Sequence, residues 1–284
     1  MRIRVGDVTL FVDVDGAGWV PAGDHLVPRP TLVLLHGGPG ADHSLFKPEF
    51  DTITDAAQVV YLDQRGSGRS DVATPDTWTW RCWADDVAGL CRVLGIERPV
   101  LIGTSSGGLV GMHCAARHPG LVAGLVLDST LGVPTTMDET LAVFARLGGP
   151  VARAAARAYL GGDLTPAATH AWEKHALPVY GHDPVPRRRA RALINDDVQT
   201  HFRTGGCGPA DAAAIAASIT CPTLILAGAD DPVCPAAGAG RLAAQLTNAE
   251  VDTHVLPGVG HGVFRQATDE AFRLVRAWLR GQRG

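Results

Sequence analysis

Six short apolar runs, each followed by a loop or a segment with helical spacing, constrain this chain more than any other feature. They are Thr31–Leu35, Val59–Leu62, Pro99–Gly103, Val122–Leu127, Pro222–Leu226 and Glu250–Leu256. Runs that are continuously apolar, rather than alternating, are expected of strands buried on both faces. Between them, stretches such as Trp83 to Leu94 place Trp83, Val87, Leu90, Cys91 and Leu94 at spacings of three and four, the pattern of a helix with one buried face. Strands alternating with helices predict an α/β fold, a mostly parallel central sheet flanked by helices on both sides. Two β-branched stretches at the start, Arg2–Val5 and Val8–Val14, are broken by the turn-like pair Gly6-Asp7 and predict an opening hairpin. From Leu131 to Ser218 the chain is rich in Ala and Arg and shows no strand-like run. We read it as an inserted all-helical cap, so that residues 1–130 and 219–284 form the core and 131–218 the cap. A chain of 284 residues suits one large domain with such an insertion.

Charge and composition exclude several function classes. Lys and Arg number 25 against 29 Asp and Glu, a formal charge of −4, and no basic stripe interleaved with aromatics is present to neutralise phosphates, so nucleic acid is not an expected partner. No apolar stretch approaches the roughly 20 residues that span a bilayer. The N-terminus, Met1-Arg2-Ile3-Arg4-Val5-Gly6-Asp7, lacks the apolar core of a signal peptide, and a cytoplasmic, membrane-free protein is expected. The six cysteines are dispersed without C-x-x-C or zinc-finger spacing, which predicts reduced thiols and no metal. No cofactor is expected.

The sequence Gly103-Thr104-Ser105-Ser106-Gly107 follows the run Pro99–Ile102 and precedes a helical stretch ending at Arg117, the strand–turn–helix setting of a nucleophile elbow. Ser106 does not fit that register, because Thr104 would then stand at the first glycine position. A serine hydroxyl needs a base to take its proton, and the base needs a carboxylate to orient it. His261, in Gly258-Val259-Gly260-His261-Gly262 after the last strand, is the candidate base. Asp230 and Asp231 follow the preceding strand and are the candidate acids. The order Ser, Asp, His is that of α/β-hydrolases. Charge developing on a tetrahedral oxygen calls for backbone N–H donors. Ser106, opening the helix, and Gly38, in the loop His36-Gly37-Gly38-Pro39-Gly40, are the candidates. His36, Asp63 and Arg65 read as supports of their loops, and Arg187-Arg188-Arg189-Ala190-Arg191 as a solvated helical face.

With these motifs assembled, the chain resembles the α/β-hydrolase fold serine hydrolases, and specifically the proline iminopeptidase group. His36 to Gly40 matches the group's HGGPG loop, Asp63-Gln64-Arg65-Gly66-Ser67-Gly68-Arg69-Ser70 its DQRGSGRS segment, and Gly228 to Pro235 its G-x-x-D-x-V-C-P acid segment, which selects Asp231 as the acid. The resemblance implies an acyl-enzyme mechanism and release of N-terminal proline, or another small residue, from short peptides. It also implies cap carboxylates that hold the substrate's free α-amine, for which Glu139, Glu173, Asp183, Asp196 and Asp197 are candidates. Independently of the resemblance, Trp172 and Phe202 are aromatics placed in the cap and are candidates to line a substrate pocket. One departure stands out. The group's elbow reads G-G-S-W-G, whereas Thr104 and Ser106 flank the serine here, which removes an aromatic wall from the proline pocket. An esterase, lactonase or amidase acting on a small metabolite is therefore the alternative, and a non-catalytic ligand-binding member of the fold a third reading.

Overall fold

The computed structural model describes residues 1–130, 135–181, 191–208 and 211–282. Its main sheet is built from β1 (Arg2–Val5), β2 (Val8–Asp15), β5 (Thr31–Leu35), β6 (Gln58–Asp63), β7 (Val100–Thr104), β8 (Gly124–Asp128), β9 (Thr223–Gly228) and β10 (Val251–Leu256). They lie in the order β1-β2-β6-β5-β7-β8-β9-β10. The opening hairpin pairs antiparallel, β2 joins β6 antiparallel, and every later pair is parallel. β3 (Trp19–Ala22) and β4 (His25–Pro28) form a separate antiparallel pair, which the sequence reading does not anticipate.

Successive side chains of a strand point to opposite faces, and the apolar runs fill both layers. Val33, Leu35, Val60, Leu62, Leu101, Leu125 and Leu127 pack on one side with residues of α1 (Trp80–Leu94) and α2 (Ser106–Arg117). Leu32, Leu34, Val59, Ile102, Val126, Leu224 and Leu226 face the other side, against Phe50, Phe264 and the Phe272–Leu279 stripe of the C-terminal helix. Register brings the strand ends level: Leu35 pairs with Gly103, Gly103 with Leu127, and Thr104 with Asp128. The loops after β5, β7, β8, β9 and β10 thus open along one edge, the place where open parallel sheets bind ligands.

Between β8 and β9 the described residues are helices and loops. α3 (Met137–Leu160) bends at Gly149, whose φ of 72° breaks the helix just before Pro150. α4 (Pro166–Ala171) and the helical turns through Tyr180 fold back on it. Leu141, Phe144, Ala156, Tyr159, Trp172 and Ala176 form a small core of their own there. α5 (Asp196–Arg203) and α6 (Ala212–Ser218) instead place Val198 and Ala216 in the same cluster as Trp80, Trp83 and Val110. Two ion pairs tie α3 to the sheet side, Glu139 with Arg241 and Arg146 with Asp230. No helix among the described residues is long and apolar enough to cross a membrane.

Candidate active site

Ser105 sits at the sharp turn between β7 and α2 with φ 55° and ψ −122°, a conformation that costs an L-residue on the order of 1–3 kcal/mol and persists only when its surroundings enforce it. The two flanking glycines are part of that enforcement. A Cβ on Gly107 would run into the Leu35 carbonyl, and one on Gly103 would run into the Gly107 backbone. The turn is therefore packed directly against the end of β5 and its glycine-rich loop. A Cβ on Gly37 would lie 3.0 Å from the Ser105 Cβ, so the HGGPG loop passes immediately beside the serine. Among the described residues, neither the Gly38 N–H nor the Ser106 N–H has a hydrogen-bond acceptor. The latter opens a helix, where unsatisfied N–H groups favour negative charge.

Asp231 and His261 come together from the ends of β9 and β10. The His261 Nδ1–H donates to Asp231 Oδ2 at 2.8 Å, and both residues are buried. The second carboxylate oxygen accepts the N–H groups of Val233 and Cys234 at 2.8 and 2.7 Å, which fixes the acid's orientation. Asp230 points elsewhere, onto Arg146 at 2.7 Å. The His261 backbone is held on three sides: its N–H donates to the Tyr180 carbonyl, and its carbonyl accepts from Arg265 and Gln266. The Tyr180 ring meets the imidazole nearly at right angles, centroids 5.4 Å apart.

His36 supports the glycine-rich loop. Its Nδ1–H donates to the Gly37 carbonyl at 3.0 Å, its Nε2 accepts the Gln64 N–H at 3.1 Å, and the Gln64 side chain donates back to the His36 carbonyl. The imidazole must be neutral to accept at Nε2, and burial holds its pKa below the ordinary value. An unfolded chain takes up this proton at higher pH than the folded one. The stability it contributes is thus complete above the ordinary histidine value of about 6.5 and is lost as pH falls through the folded one. The melting temperature is expected to drop more in the wild type than in His36→Gln as pH is lowered from about 7.5 to about 5.5. Equal slopes in a calorimetric pH series would contradict this account of the loop.

Asp63 anchors the next loop, accepting from His43 and from the Arg69 N–H. Burial pushes its carboxyl up, but these hydrogen bonds outweigh burial and leave it below the usual value. Arg65 is buried between Asp86 and Asp7. Among the described residues, two groups have ligand-type atoms close enough for a metal, Asp231-Cys234-His261 and Asp42-His43-Asp63. In each the carboxylates already accept from internal donors.

Of the cap candidates, Trp172 comes within one ring of His261, because it meets edge-on the Tyr180 ring that contacts the imidazole. Glu139 is the N3 residue of a capping box with Thr136 and also pairs with Arg241; these donors hold its carboxyl below the usual range. Trp172 stacks on Tyr159 at 4.4 Å inside the cap's own core. Glu173, Asp196 and Asp197 are exposed. Phe202 packs edge-on against Trp80, a residue of the main core. Asp183 and Arg187 to Arg189 lie outside the described residues.

Residues 30–267 match the family model described as alpha/beta hydrolase fold. The chain belongs to this family. Among its relatives, the "Putative carbamate hydrolase RutD" of Caulobacter sp. (strain K31) is 30% identical over 272 residues, 93% of this chain and 92% of that protein. The proline iminopeptidase of Lactobacillus helveticus is 28% identical over 269 residues, covering 88% of this chain and 90% of the other. The crystal structure of the proline iminopeptidase of Mycobacterium smegmatis superposes with a TM-score of 0.74 at 23% identity, covering 99% and 98% of the two chains. At that identity the superposition speaks for the fold alone.

Three contributors to this α/β-hydrolase site have no counterpart in the sequence reading. Tyr180 holds the His261 loop as described. Asn195 donates its N–H to the Gly40 carbonyl and its side-chain amide to the Gly66 carbonyl, pinning two loops from the start of α5. Asn195 before Asp196-Asp197 carries a helix-start signal, but its loop contacts have none. The third is the segment at the end of β8, Asp128-Ser129-Thr130, where a carboxylate directly continues an apolar strand.

Proposed function

We propose that the protein is a serine hydrolase working through an acyl-enzyme, with Ser105 as nucleophile, His261 as base and Asp231 as the acid that orients it. The observation that carries this reading is the buried 2.8 Å hydrogen bond from His261 to Asp231, on the same sheet edge as a serine held at φ 55°. Ser105 Oγ attacks the substrate carbonyl while His261 Nε2 takes its proton. The Gly38 and Ser106 N–H groups receive the oxyanion, and their lack of other acceptors leaves them preorganised for it. His261 then protonates the leaving group, and water, deprotonated by the same imidazole, releases the acyl group from Ser105. The helices of 131–218 form the cap that limits substrate size.

For the substrate we favour a small neutral carbonyl compound, an ester, carbamate or amide. The full-length likeness to a protein named as a carbamate hydrolase supports this choice. So does the commitment of two acids: Glu139 pairs with Arg241 and Asp230 with Arg146, which leaves neither free to hold an α-ammonium group. Release of N-terminal proline is the second reading, favoured by the HGGPG and DQRGSGRS segments and by the iminopeptidase relatives. Initial rates on p-nitrophenyl acetate, a p-nitrophenyl carbamate, L-prolyl p-nitroanilide and its N-acetyl derivative separate the two. Ester and carbamate turnover well above prolyl turnover is expected. Efficient cleavage of the prolyl anilide that disappears on N-acetylation would overturn the choice.

A further inference from the structure

Resting on the reading of Ser105 and His261 above, we infer that Asp128, Ser129 and Thr130 form a positioning bridge that sets the serine and the histidine relative to each other. The three residues leave the end of β8 between the strand that carries the serine and the strand before the Asp231 loop. All are buried. On the serine side, the Ser105 N–H donates to the Asp128 carbonyl at 2.8 Å, Thr130 Oγ1 donates to the Ser105 carbonyl at 3.0 Å, and Thr104 Oγ1 donates to Asp128 Oδ2 at 2.9 Å. On the histidine side, the Val263 N–H donates to Asp128 Oδ1 and the Gly262 N–H to Ser129 Oγ, both at 2.8 Å. Five hydrogen bonds therefore join residues 104 and 105 to residues 262 and 263 through one tripeptide. Ser129 holds a φ of 49°, in the left-handed region, and this turn is what lets adjacent side chains reach the same loop.

The test uses the rate at which a fluorophosphonate phosphonylates the folded full-length protein, measured at one fixed pH. In that step the Ser105 Oγ–P bond forms, the P–F bond breaks, fluoride leaves and His261 takes the hydroxyl proton. For Asp128→Asn and Ser129→Ala we expect labelling slowed about 10- to 100-fold, the scale of a modest misplacement of reacting groups. Thr104→Ser keeps the hydroxyl that donates to Asp128 Oδ2 and is expected to label at the wild-type rate, whereas Thr104→Val, which keeps the shape and loses the donor, is expected to label more slowly. Packing damage alone would give the opposite order, because the serine variant is the one that loses a methyl group. A folded Asp128→Asn with the wild-type rate, or a Thr104→Val that labels as fast as Thr104→Ser, would overturn the inference. If Asp128→Asn does not fold, Ser129→Ala and Thr104→Val decide: wild-type labelling in both would overturn it. Labelling of wild type that persists in Ser105→Ala would sink the parent reading instead, so the two failures are distinguishable.

Discussion

Ser105→Ala is expected to reduce kcat on the best substrate by about a million-fold, the scale seen when a serine nucleophile is removed from a triad, with the fold intact. The size of the effect follows from the absence of a stand-in. Each neighbouring hydroxyl at the end of β8 or β7 is engaged: Thr104 with Asp128, Ser129 with the Gly262 N–H, and Thr130 with the Ser105 carbonyl. Ser106 is the first residue of α2, buried, and outside the strained position. Alanine adopts the strained turn no more readily than serine and leaves no packed neighbour behind, so the melting temperature should stay within a few degrees. Steady-state kinetics beside a thermal melt checks both halves. Residual turnover within a hundred-fold of wild type would mean that another group attacks.

Asp231→Asn is expected to cost about 10⁴-fold in kcat, the effect of losing the acid's orienting role in a triad, while Asp230→Asn changes it less than about three-fold. The two neighbours differ in what they touch. Asp231 is buried, with one oxygen on two backbone N–H groups and the other on His261 Nδ1. An amide nitrogen in that second place would present N–H to N–H and force the imidazole into the wrong tautomer. Asp230 meets Arg146, whose side chain is half exposed, and exposed pairs contribute at most about 1 kcal/mol. Kinetics of the two single variants tests this directly. Equal losses in both would place the acid's function on the loop as a whole.

Much of this was legible in sequence because the signals are local. Continuous apolar runs such as Thr31–Leu35 become strands buried on both faces, and the glycines flanking Ser105 stand where a Cβ would strike backbone. The β3–β4 pair was not legible, because most of its residues are exposed and it lies off the main sheet. In the cap, Glu139 carries two signals at once. As an acid in the insertion it suggests an amine anchor, but Thr136-x-x-Glu139 is also a capping box, and the helix end claims it. Trp172 is absorbed by the small core that any inserted helical unit needs for its own stability. The bridge at β8 is invisible for a different reason. Its bond from Val263 to Asp128 spans 135 positions, and only the sheet order brings its ends together.

The central claim is that Ser105 is a nucleophile activated by His261. Intact-protein mass spectrometry after fluorophosphonate treatment, followed by peptide mapping, tests it without knowledge of the substrate. The account predicts one phosphonyl adduct per folded chain, mapped to Ser105 and abolished in both Ser105→Ala and His261→Ala. No adduct on the folded wild type, or an adduct on any other residue, would contradict it.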